Sequence, residues 1–242
     1  MITTQRLKSS LPPSSCHATY RNPVYYSFMK ANKSLPSYYS KYTALEPSKN
    51  LGFVIVAVIT GITLLLIVGW LLVLFANAFR PNALDGMRLH DLLRSTTAGF
   101  SLVVPPALFP NLGLALIAVL IFHELVHGLF YWLFSSHRPR FGFQGLFPYA
   151  AAPSGIYFPR NQFLVVGLSP LVLLTAVGLL LMVILPIAFV PFLLFFVVFN
   201  ACGAAGDLIM VIQLMRFSSD TLIEDSTSGV IIYGPKRDRN AA

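Results

Sequence analysis

The chain has 242 residues, of which 56% are hydrophobic and only 11% charged, and its mean hydropathy is +0.71. Soluble domains carry about 25% charged residues, so this composition excludes an ordinary soluble globule and points to a polytopic membrane protein. The net charge of +8 is read as membrane topology rather than nucleic-acid binding, because the basic residues cluster beside the apolar segments. Cys16 and Cys202 are far apart, one in a polar stretch and one in an apolar one, which excludes a disulfide framework or a cysteine metal cage.

Residues 1–50 are rich in Ser, Tyr, Lys and Pro, with seven Lys/Arg and Glu46 as the one acid. They read as a mostly disordered, basic cytosolic tail. The first apolar run begins near Leu51, too late and too long for a cleavable signal peptide. Leu51 to Phe79 is uncharged and exceeds the ~20 residues that span a bilayer. Arg80 to Arg94 is a mixed polar loop. Ser95 to Pro110 is apolar but broken by Pro105, Pro106 and Pro110, which remove backbone donors, and it reads as a re-entrant or interfacial stretch. The second span is Asn111 to Phe134. Ser135 to Asn161 is a loop holding Arg138, Arg140 and Arg160 and no acid. Within it, residues 141–158 offer either an extended edge for pairing with a substrate strand or an interfacial anchor of aromatics. The third span runs from Gln162 to about Leu185, and Pro186 and Pro191 bracket a turn. The fourth runs from Phe192 to Met215. In the tail from Arg216, GVIIYGP (residues 229–235) reads as a short strand ended by Gly-Pro.

Only two acids, Glu124 and Asp207, fall inside the predicted spans. The basic N-terminal tail is expected to stay cytosolic. Four spans then return the arginine-only loop and the C-terminal tail to the same side. An ionisable group at the centre of a span costs roughly 2.5–3.5 kcal/mol on insertion scales, so each needs a partner or a water-filled cavity.

Glu124 stands in HELVH. His123 and His127 are four apart and share one helical face, so both imidazoles can reach one cation. Glu124 can reach a water beside that cation. Two zinc ligands and a general base are the physical content of HExxH. A catalytic zinc takes a third protein ligand, and the candidate is Asp207. By helical rise, His123, His127 and Asp207 lie roughly 16, 10 and 13 Å from the cytosolic ends of their spans, which puts Asp207 between the histidines in depth. Gly203 to Gly206 are small and allow close helix approach. Asn200 lies seven residues before Asp207, on nearly the same face. It is a candidate for bonding a ligand or a substrate carbonyl, and interhelical hydrogen bonding is its structural alternative. His137 lies past the span and reads as a surface histidine.

These residues carry a resemblance. HELVH in one span, with Asn200 and Asp207 in a later one, resembles the intramembrane zinc metalloproteases of the site-2 protease type. More closely, about Asn111 to Tyr233 resembles a family of small prokaryotic membrane proteins described as putative zincin peptidases. The stretches that carry it are HELVHGLFYWLF, RNQFLVVGLSPL, NACGAAGD, and an acidic segment followed by GVIIYGP. The resemblance implies zinc ligation by His123, His127 and Asp207, with Glu124 as the base. Site-2 enzymes have Asn-Pro and Asp-Gly in the later motif, where this chain has Ala201 and Leu208.

The expectation is an all-α membrane protein of about four transmembrane helices, with a re-entrant or interfacial stretch before the second and a short strand-like C-terminal tail. A tail (1–50) precedes a membrane domain (51–216) with its metalloprotease-like core at about 111–216, and a cytosolic tail (217–242) follows. The expected activity is zinc-dependent hydrolysis of membrane protein or peptide substrates in a prokaryotic cell membrane, with both termini cytoplasmic and no nucleic-acid partner. A zinc-binding scaffold or assembly factor is the alternative. A transporter is disfavoured by the lack of an inverted repeat.

Overall fold

The structure, a computed structural model, describes residues 31–87, 92–96, 99–145, 147–226 and 229–236. Residues 1–30 of the expected tail and the chain after 236 lie outside the described residues. In chain order the elements are β1 (Tyr39–Leu45), α1 (Leu51–Phe79), β2 (Leu93–Thr96), β3 (Gly99–Leu102), α2 (Leu108–Ser135), β4 (Arg140–Gln144), β5 (Phe147–Ala151), β6 (Tyr157–Pro159), α3 (Arg160–Ile184), α4 (Val190–Gly203), α5 (Ala205–Leu214), β7 (Leu222–Ser226) and β8 (Gly229–Pro235).

Among the described residues, four helical stretches are long and apolar enough to cross a membrane: α1, α2, α3 and Ile187–Leu214, the last containing α4 and α5. They are compatible with a membrane protein. α1 starts where the Asn50 side chain accepts the Phe53 N–H at 3.2 Å. It buries only Leu72 and Ala76 although it is apolar on all sides, which is compatible with a helix facing lipid. The helical core is Ala115, Val119, Leu174, Met182, Leu193 and Val197, where α2, α3 and α4 meet. Arg80, at the end of α1, donates to the carbonyls of Val183 (2.7 Å) and Leu185, which the end of α3 leaves without helical partners.

The all-α expectation does not hold. The fold is mixed, with a four-stranded antiparallel sheet in the order β1-β8-β7-β6 and two two-stranded sheets, β2-β3 and β4-β5. The stretch expected to re-enter the membrane, 95–110, instead supplies part of the β2-β3 hairpin and the first turn of α2. There Pro110 is tolerated because first-turn amides have no helical acceptor. In the four-stranded sheet, Tyr39 pairs with Pro235 and Leu45 with Val230. The two ends of the described chain are therefore neighbours, on the face of the bundle where α1 and α3 begin and α2 and α5 end. β8 alternates half-buried and buried residues, and its inner face (Val230, Ile232) packs with Ile223, Phe158, Phe163 and Leu214. These short strands bury one face only because elements distant in sequence meet there.

The β4-β5 hairpin lies against α2. An added Cβ on Gly128 would collide with the end of the Phe141 ring and come within 3.3 Å of Pro139, so the glycine lets the hairpin cross the helix with Phe141 in this position.

Candidate metal centre

α2 brings His123 and His127 to one face, with ring centroids 5.0 Å apart. The fourth span is broken between α4 and α5 at Ala204, beside Gly203, where helices commonly distort. The break restarts the helix with Asp207 in the first turn of α5, and the aligned amides there favour a carboxylate. Asp207 Oδ2 lies 3.0 Å from His123 Nε2 and 3.4 Å from His127 Nε2. One donor atom from each of the three residues falls within 4.8 Å of the others. The depth expected from helical rise and the observed placement of Asp207 between the two imidazoles agree.

The far side of each imidazole is also fixed. His123 Nδ1 lies 3.1 Å from Asn200 Oδ1, and His127 Nδ1 lies 3.0 Å from the Val166 carbonyl. Both partners are acceptors, so each Nδ1 carries the proton, and each Nε2, turned to Asp207, is the nitrogen that would meet a metal. Asn200 is held the right way round because its Nδ2 donates to Pro170 O (3.1 Å) and Thr175 Oγ1 (3.4 Å). The Val166 carbonyl is available because Pro170, four residues on, has no N–H to offer it. Ser169 Oγ also donates to that carbonyl, at 2.8 Å.

Of the other residues singled out from sequence, Glu124 turns to the β4-β5 hairpin, where its Oε2 accepts the Ala150 N–H at 2.7 Å. Asn200 is 0% exposed, so it stands behind His123 rather than on an open face where a substrate would lie. His137 is apart from the cluster, its Nδ1 2.6 Å from the Ser135 carbonyl.

Glu124, His127, Asp207, Tyr131, Asp225 and Val230 are among the residues lining a cavity of about 320 Å³. Sequence reading missed Tyr131 and Asp225. Tyr131 continues the four-residue spacing of His123 and His127, a signal that was present. Asp225 stands in the acidic segment before GVIIYGP, which enters only as part of the resemblance and is given no role there. It accepts the Ala152 N–H at 2.9 Å and a hydrogen bond from the Tyr131 hydroxyl. Burial pushes its carboxyl up to about 6, although Ala152, Tyr131, His127 and Arg140 all act to lower it. An apolar groove of about 490 Å³ lies on the other side of Glu124, between α2 and the hairpin, lined by Leu120, Ile121, Leu125, Phe141 and Pro148.

Residues 116–222 match the family model described as "Putative zincin peptidase". The match runs from α2 into β7 and supports a zincin-like family and a metallopeptidase. Searches of curated proteins and of solved structures returned no match. A zincin implies zinc, and the donor set fits that ion: two imidazole nitrogens and one carboxylate oxygen converge, as in catalytic zinc sites with three protein ligands.

Proposed function

We propose that this chain is an intramembrane zinc metallopeptidase of the site-2 type, hydrolysing peptide bonds of membrane-associated proteins. The observation that carries the reading is the pair of imidazoles whose Nε2 atoms converge on Asp207 while Asn200 and Val166 hold their Nδ1 atoms. His123, His127 and Asp207 hold the zinc. When bound, zinc lowers the pKa of water toward 7 and polarises a carbonyl.

Glu124 takes the proton of the attacking water and returns it to the leaving amine. The Ala150 N–H steadies one carboxylate oxygen and leaves the other free for that exchange. Ala150 and Ala152 both direct their amides away from β4, to the carboxylates of Glu124 and Asp225. Those two amides are taken, and an extended substrate instead lies in the cavity that both carboxylates line. The apolar groove beside Glu124 gives a membrane segment a path to it. The sheet-covered side faces the cytoplasm of a prokaryotic cell, following the basic loop 135–161.

The open cavity favours this reading over a zinc-binding scaffold or assembly factor, whose site would be closed. The test is zinc content and peptide cleavage in detergent-purified protein. About one zinc per chain in wild type, lost in Asp207→Ala, is expected. Glu124→Gln is expected to keep the metal and lose cleavage. Zinc-free, well-folded wild type after zinc supply, or undiminished cleavage by Glu124→Gln, overturns the proposal.

A further inference from the structure

The cavity is lined by three carboxylates, Glu124, Asp207 and Asp225, and by no Lys or Arg among the described residues. Asp207 faces the two histidines and Glu124 is the base. Asp225 belongs to neither role. It projects from β7, in the sheet that covers the site. Its described donors, the Ala152 N–H and the Tyr131 hydroxyl, are both neutral. It forms no ion pair among the described residues. Among the described residues, His127 and Arg140 are the basic side chains that act on it, and the Arg140 guanidinium donates instead to Ala152 O (3.1 Å) and Ser154 Oγ (3.2 Å). Burial raises its pKa by desolvating the charged form, and no ion pair among the described residues offsets that.

The amides that hold Glu124 and Asp225 are two residues apart on one strand edge, roughly 7 Å in extended backbone. An extended peptide in the cavity that both carboxylates line has the same rise. With its scissile bond at Glu124, a side chain about two residues away reaches Asp225. We propose that Asp225 is a specificity-determining residue that takes the ammonium or guanidinium of a substrate Lys or Arg lying about two residues from the bond that is cut. This rests on the peptidase reading above. The chemistry of membrane proteins agrees with it: cytoplasmic flanks of their spans are rich in Lys and Arg, and in that reading the sheet carrying Asp225 faces the cytoplasm.

The test is a set of quenched peptides identical except at one position, which carries Lys, norleucine or Glu and is moved through the three residues on either side of the bond. Zinc-loaded wild type is expected to favour Lys over norleucine by about tenfold at one position, because a site built for a polar partner discriminates against its absence. In Asp225→Asn that ratio falls to about one. The ratio is the readout, so a uniform loss of rate from disturbed packing does not move it, whereas a purely structural Asp225 predicts only such a uniform loss. Wild type with no preference for Lys at any position overturns the proposal without recourse to the variant. If no peptide is cut, the peptidase reading fails, and equilibrium binding of the same peptides to zinc-loaded protein decides this one. A Lys preference in binding that Asp225→Asn abolishes upholds it, and equal binding of the Lys and norleucine peptides overturns it.

Discussion

His127 Nδ1 is held at 3.0 Å by the carbonyl of Val166, a group free for that bond because Pro170 has no N–H to compete for it. A helix-breaking residue in one span thereby sets the tautomer of a candidate ligand in another. Pro170→Ala restores an amide that draws the carbonyl back into the helix. The expected outcome is a better-formed α3 with zinc bound roughly tenfold more weakly, within the range seen when an outer partner of a metal ligand is lost. Competition with a chelator of known affinity measures it.

Asn200 performs the same service for His123. Asn200→Leu removes the acceptor at Nδ1 and leaves the Pro170 carbonyl without its side-chain donor. Zinc affinity should fall about 10–100-fold, while Asn200→Asp, which keeps an acceptor at that position, should fall less. Zinc retention through dialysis against a weak chelator separates the two variants. Equal retention by wild type and Asn200→Leu would show that His123 needs no outer partner.

Gly128 is where the β4-β5 hairpin crosses α2. Gly128→Val introduces a side chain into the space of Phe141 and Pro139. The expected cost is about 1–3 kcal/mol of stability, as for overpacking elsewhere. The hairpin should lift from the helix and release the Ala150 N–H from Glu124. Faster proteolytic nicking within residues 140–151, with the zinc content unchanged, is the predicted signature.

Asp225 gives the fold a pH dependence of definite sign. Its carboxyl titrates at about 6 in the folded chain and near 3.8 unfolded. Between those values the folded state holds a proton that the unfolded state has released, so this group's contribution falls as pH rises through that window. Below the unfolded value it contributes nothing, and above about 6 the destabilisation is complete. Asp225→Asn should therefore gain thermal stability relative to wild type as pH rises from about 4 to about 7. Unfolding curves in detergent at several pH values check this, and a constant gap across the range would show that Asp225 does not titrate in that window.

In the proposed orientation the three arginines of the first loop lie on the side that basic residues usually avoid. Arg80 has a use there, on the carbonyls that close α3. That use depends on the end of α1 lying beside the end of α3, which no local pattern announces.

By itself the sequence determined the four apolar spans, the HELVH face and the pairing in depth of His123 and His127 with Asp207. Each follows from a short-range rule: hydropathy over about twenty residues, the helical repeat, and the cost of a lone carboxylate in lipid. Tertiary structure decided the rest. The strands of the covering sheet are three to seven residues long, too short to be stable alone, and β1 and β8 pair across nearly the whole chain. Their partners are chosen by which ends the helices bring together. Asp225 enters the cavity through that sheet, and the Val166 carbonyl serves His127 through the packing of α2 on α3. Such contacts join residues far apart in the chain, and local pattern carries no trace of them.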